Sequence, residues 1–262
     1  MELNSENYFS READLSFFSA SQVKSFKRCE AATMAALRGE WIRPMSTALA
    51  VGQYVDESLT GDFLAWREKH QEILKRDGSL KADFECARLM VERALRDPVF
   101  MDYMEGDHQT ILKAPILGGY WFKAKFDVLG AHRIVDLKTV KDLSPKYLPG
   151  QGRVDFATAW DWPLQMAIYQ RIYEEVNGVR LPCYLAVITK ETPADIRIVQ
   201  IEQERMDAEI AWLEQALPRF EAVKSGAIEP ERCEVCEWCR ESRILTGPEL
   251  LGDFDENGGI EE

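Results

Sequence analysis

The spacing of apolar positions changes period twice along the chain. From Ser19 or Ser21, apolar residues recur at helical intervals through Val23, Phe26, Cys29 and Ala32. A second helical stretch covers roughly residues 46–75, with a break expected near Gly61, and a third covers roughly 82–95. The period then falls to two. QTILKAPIL, Gly118-Gly119 and YWFKAKFDVL read as a β-hairpin with a two-residue turn, and residues 133–138 supply a third strand. Asp161 is placed to cap a helix with Pro163 in its first turn, running to about Val176. Two more strands are expected over 181–189 and 196–201, then a long amphipathic helix over 202–224. This order predicts a mixed α/β fold: one domain over 1–240, with a helical N-terminal part and a C-terminal cysteine cluster. Residues 241–262 read as an acidic, mobile tail.

The segment from Lys123 to Lys138 carries the candidate chemistry. Side chains alternate along a strand, and opposed residues of an antiparallel pair share a face. A register opposing Leu129 to Ile134 sets Phe126 against Leu137 and Val128 against Val135, an apolar face. It also sets Asp127 against Asp136 and Lys125 against Lys138 on the other face. A slip of one residue would scramble both sets, so the pattern favours this register. Two opposed carboxylates repel. A divalent cation between them turns that repulsion into coordination, since hard oxygen ligands suit Mg²⁺ or Mn²⁺. Lys138 then points into the same site, where it can orient a water or stabilise charge on a phosphate. Taken alone, D-x₈-D-x-K is as compatible with a solvated hairpin face. Two further features agree with a site: Gln165 and Tyr169 lie one helical turn apart, and Asp56 and Glu57 lie on a helix before the sheet.

Bulk properties narrow the field. The 262 residues contain no apolar run of membrane-spanning length and no signal-peptide layout at the start, which predicts a cytoplasmic protein. The net charge of −13 weighs against a general nucleic-acid binder, so any DNA contact must use a local groove helped by bound cations. Neither GxxxxGK[ST] nor GxGxxG occurs, which argues against a nucleotide-driven motor or a dinucleotide cofactor. Cys233, Cys236 and Cys239 form C-x-x-C-x-x-C, a spacing more often metal-binding than disulfide-forming in a cytosolic chain; Cys86 and Cys183 read as core residues.

In order and combination these motifs resemble the PD-(D/E)xK nuclease superfamily, in particular its RecE/RecB-like branch and the exodeoxyribonuclease VIII family of phages and prophages. The resemblance rests on S-A-S-Q-V-K-S-F-K-R-C, the acidic helix, Asp127, D-L-K-T (Asp136 to Thr139), Q-x-x-x-Y (Gln165 to Tyr169) and the closing cysteines. It implies a restriction-endonuclease-like core with a mainly antiparallel sheet flanked by helices. It also implies a Mg²⁺- or Mn²⁺-dependent exonuclease acting on duplex DNA ends in recombination. Asp127, Asp136, the Leu137 carbonyl and Asp56 would hold the metal, Lys138 would be the catalytic lysine, and Gln165 and Tyr169 would line the DNA. Asp56 stands where related nucleases usually carry histidine, and Glu57 competes with it. Iron–sulfur nucleases of the AddB type clasp the domain with one early and three late cysteines. Cys29 would then join Cys233, Cys236 and Cys239 around a [4Fe–4S] cluster or Zn²⁺. A homo-oligomeric ring and a single-strand annealing protein are the implied partners. The alternative is a catalytically silent nuclease fold that binds DNA ends or protein.

Overall fold

The computed structural model describes residues 1–42, 46–148, 150–245 and 247–248. Its helices are α1 (Arg11–Ser16), α2 (Ala20–Arg28), α3 (Glu30–Arg38), α4 (Thr47–Leu59), α5 (Phe63–Lys69), α6 (Ala82–Leu95), α7 (Pro98–Tyr103), α8 (Trp162–Asn177), α9 (Gln203–Lys224) and α10 (Glu237–Glu241). The strands are β1 (Asp107–Ile116), β2 (Tyr120–Gly130), β3 (Arg133–Val140), β4 (Lys146–Leu148), β5 (Gly152–Val154), β6 (Cys183–Thr189) and β7 (Ile196–Gln200).

Five strands form one sheet in the order β1-β2-β3-β6-β7, antiparallel except between β3 and β6. A parallel pair needs a crossover, and here the β4–β5 hairpin and α8 supply it. The β6 sequence, CYLAVIT, is apolar almost throughout because both its faces are covered. Cys183, Leu185 and Val187 join a core with α2, α3, α8 and α9, while Ala186 and Ile188 join a second core with α4, α6 and α7. The result is the mixed, mainly antiparallel sheet flanked by helices that the sequence implied.

Local chemistry accounts for the boundaries. Ser19 starts α2, its hydroxyl accepting the Gln22 N–H at 3.2 Å. The helical run expected to continue through Ala32 is in fact two helices. Cys29 is extended (φ −166°, ψ 110°), ends α2 and caps α3, its thiol accepting the Ala32 N–H. The expected break near Gly61 separates α4 from α5. The hairpin loop holds three residues, because Leu117 joins the two glycines at positive φ. Asp161 sits at the N-cap of α8 but does not cap it. Its backbone is left-handed (φ 53°), and its carboxylate is drawn to Lys27, 2.6 Å away. Among the described residues no helix is long and apolar enough to cross a membrane. The expected acidic tail lies outside the described residues from 249 onward.

Candidate active site

The register of the central hairpin is the one its pattern favours, with Leu129 opposite Ile134 and Val128 opposite Val135. Pairing stops there. Beyond Val128 the strands diverge, so Asp127 with Asp136 and Lys125 with Lys138 are not ladder partners. The Leu137 N–H, released from β2, donates to Asp127 Oδ2 at 2.9 Å. The expected pairing of Phe126 with Leu137 on one apolar face also fails. Phe126 packs in the core under α8, against the Tyr169 ring at 4.9 Å, while Val128, Val135 and Leu137 pack in the other core. The hairpin therefore changes facing at Asp127. The neighbouring strand changes at the same level: Gln109, between paired residues His108 and Thr110, has φ 54°. Left-handed backbone is unfavourable for residues other than glycine. Here it falls at the site.

Asp136 and Lys138 share the β3 face toward α8. The Lys138 ammonium is ion-paired with Asp136 Oδ2, and Gln165 Nε2 donates to Asp136 Oδ1 at 2.8 Å. The far end of the Gln165 amide accepts from Lys24 Nζ, also at 2.8 Å. A lysine can only donate, so it fixes the amide with its NH₂ toward Asp136. Lys24, Lys27 and Arg28 follow one face of α2 at i, i+3 and i+4, with Lys24 reaching Gln165 and the other two reaching Asp161 at the start of α8.

Asp56 reaches the site from α4, tethered at one oxygen. Thr60 Oγ1 donates to Asp56 Oδ1 at 2.7 Å, and Gln109 Nε2 donates to Thr60 Oγ1 at 2.7 Å. The amide is also 3.3 and 3.5 Å from the two Asp56 oxygens. The turn of backbone at Gln109 accompanies this contact. Glu57 points elsewhere and accepts the Asp62 N–H at 3.1 Å. The sequence left Asp56 and Glu57 in competition; the geometry favours Asp56.

Burial and mutual repulsion dominate the electrostatics of the cluster. Burial, then Asp136 and Asp56, hold the Asp127 carboxyl well above its usual range. Burial also raises Asp56, against the Thr60 hydrogen bond. For Lys138, burial works against the ammonium, but Asp136 and Asp127 outweigh it and raise its pKa. Lys24 is lowered to about 8 by burial and by repulsion from Lys138. Among the described residues, buried Gln53 Oε1 has no hydrogen-bond partner, and buried Asp136 Oδ2 has the Lys138 ammonium alone. Gln53 lies one turn before Asp56 on α4. Three neighbouring carboxylates, with Asp127 and Asp56 raised by burial and by the acids beside them, fit an oxygen-preferring divalent cation.

A second cluster lies away from this one. The thiols of Cys29, Cys233, Cys236 and Cys239 all lie within 4.8 Å of one another. The corner between α2 and α3 thus meets the segment after α9. Cys183 is buried in the core, as expected, and Cys86 is half-buried with its thiol 3.7 Å from the Lys190 carbonyl. His132 is exposed in the turn between β2 and β3.

Of the residues singled out from sequence, Asp56, Asp127, Asp136, Lys138 and Gln165 converge. Tyr169 lies beneath them, its hydroxyl pKa raised well above the usual value by burial and by Asp136. Gln165 is turned inward with both ends of its amide engaged. Sequence reasoning missed Lys24, Thr60 and Gln109. Lys24 was within reach, since it lies in the S-A-S-Q-V-K stretch; nothing in the strand pattern marked Gln109.

No curated protein matches the sequence. A crystal structure of a protein from Eubacterium rectale, named as a candidate exonuclease, is 36% identical. The match covers 99% of this chain and 100% of that one, with a TM-score of 0.93. A second solved structure, SSO0001, is 14% identical over 73% of this chain and 84% of its own, with a TM-score of 0.28. The family described as a PDDEXK-like domain of unknown function, DUF3799, matches residues 19–242. That span takes in both clusters and the whole of the sheet, and the chain belongs to this PDDEXK-like family.

Proposed function

We propose that the protein is a divalent-metal-dependent deoxyribonuclease, acting as an exonuclease on duplex DNA ends. The observation that carries this reading is the convergence of Asp56, Asp127, Asp136 and Lys138, with Lys138 paired to Asp136 and the Asp127 and Asp56 carboxyls held up by burial and by their acidic neighbours. Asp127, Asp136, Asp56 and the Leu137 carbonyl would hold Mg²⁺ or Mn²⁺. A bound cation supplies a water of lowered pKa and stabilises charge on the phosphoryl oxygens. Lys138 keeps its proton at Nζ and presents positive charge where the scissile phosphate would become more negative. Gln165 holds Asp136 in place, and Lys24 holds Gln165. Asp127 accepts the Leu137 N–H, which fixes the backbone beside the Leu137 carbonyl. Lys24, Lys27 and Arg28 would meet the DNA backbone, which reconciles phosphate binding with the acidic chain as a whole. The family resemblance supports a role in phage or prophage recombination, with a ring assembly and an annealing-protein partner.

Digestion of linear duplex DNA in Mg²⁺ and in EDTA tests this. Asp136→Ala and Lys138→Ala should each reduce the rate by about 10²-fold or more, the scale of removing a group that stabilises developing charge. Undiminished cutting by both variants would remove the assignment. Absence of cutting by the wild type, together with absence of Mn²⁺ binding in calorimetry, would favour the silent, end-binding alternative.

A further inference from the structure

The resemblance leaves two metals open for the four cysteines, and the spacing of their sulfurs separates them. Cys29 and Cys239 Sγ are 3.6 Å apart, Cys233 and Cys239 Sγ are 4.0 Å apart, and no two of the four ligand atoms exceed 4.8 Å. Zinc–thiolate bonds of about 2.3 Å in a tetrahedron place sulfurs roughly 3.8 Å from one another. A [4Fe–4S] cluster takes one thiolate on each of four irons at the outer corners of a cube, which holds the thiolates much farther apart. The four thiols here crowd around a space for one ion. We infer that Cys29, Cys233, Cys236 and Cys239 bind a single tetrahedral zinc ion, and that the site is structural rather than redox-active.

The surroundings suit that assignment. Backbone N–H groups of Ala32, Cys236 and Cys239 point at the sulfurs of Cys29, Cys233 and Cys236, at 3.4, 3.4 and 3.5 Å. Such donors stabilise thiolate charge and orient the ligands. Four thiolates around Zn²⁺ leave net negative charge, and Arg232 lies against the cluster, its guanidinium donating to the Cys239 carbonyl at 2.7 Å. All four positions are filled by protein, which leaves none open for substrate. What the ion fixes is the corner at Cys29, and so the end of α2, whose Lys24 reaches Gln165 and the carboxylate site. Glu30, next to Cys29, reinforces the clasp through a paired contact to Arg219 at 2.7 and 2.8 Å.

The full chain, expressed with both iron and zinc supplied and purified without oxygen, decides the matter. Elemental analysis should find one zinc per chain, with no acid-labile sulfide and no visible chromophore. Exchange with Co²⁺ should produce the intense visible bands of tetrahedral thiolate coordination. Cys29→Ser should lose at least tenfold in zinc affinity, and Cys183→Ser should keep the wild-type content. Iron with sulfide and a brown colour, or a wild type without stoichiometric zinc, overturns the inference. These readouts need no variant to fold, apart from the serine pair, and none depends on DNA cleavage, so the nuclease reading stands or falls separately.

Discussion

Asp127→Asn should make the metal-free protein more stable and the metal-loaded protein comparatively less so. Asparagine keeps an oxygen for the Leu137 N–H and nearly the same volume, so the change removes charge and little else. That charge is costly because burial, Asp136 and Asp56 all oppose it. Relieving one poorly compensated buried charge is worth about 1–3 kcal/mol. For a domain of this size each kcal/mol moves the melting temperature by about 2–4 °C, so a rise of roughly 2–12 °C is expected in EDTA. The sign with pH follows from the raised pKa. In the folded protein Asp127 binds its proton more tightly than in the unfolded chain. Its charge therefore costs nothing below the unfolded value of about 3.9, and the penalty grows as pH rises through the folded value. The advantage of the variant should be absent near pH 4 and fully developed above the folded pKa. With Mn²⁺ at about a hundred times its Kd, the wild type gains about 2.7 kcal/mol that the variant largely forfeits. Thermal melts at several pH values, with EDTA and with Mn²⁺, would show the order reversing. A variant less stable than wild type in EDTA at every pH would refute the reasoning, because Asp127 would then be stabilising the fold without a cation.

Other predictions follow from the same contacts. Gln109→Gly keeps the left-handed backbone available while deleting the amide, and Thr60→Val removes the hydroxyl; each should weaken Mn²⁺ binding about tenfold in calorimetry, with the double variant little worse than either. Wild-type affinity in both single variants would show that Asp56 needs no tether. Cleavage that depends on the Lys24 ammonium should decline as pH rises through about 8, and Lys24→Arg, charged throughout, should lose that limb of the profile. An identical pH profile for the two proteins would mean that Lys24 acts without its charge.

Much of the architecture was legible because it depends on local pattern. Helical spacing marked α4, α6, α8 and α9, and period-two alternation marked β1 to β3, β6 and β7, each close to its observed bounds. The register of β2 on β3 followed from requiring apolar residues to meet, a constraint that one residue of slip would violate. The acids and the lysine were recognisable because like charges on adjacent strands need a reason to be there. The short elements were not legible: α3 was absorbed into α2, and the β4–β5 hairpin left no clear alternation.

What tertiary structure decided lies where strands stop behaving as strands. Alternation assumes a ladder that continues, but β2 and β3 separate after Val128, so Asp127 meets the Leu137 N–H instead of facing Asp136 across a pair. The tether of Asp56 by Gln109, the reach of Lys24 to Gln165 and the diversion of Asp161 from its helix to Lys27 each join residues more than 50 positions apart. Local propensity carries no information about such contacts, because their geometry exists only once the helices are packed on the sheet. Sequence by itself determined which side chains could bind a cation; packing chose which of them come together.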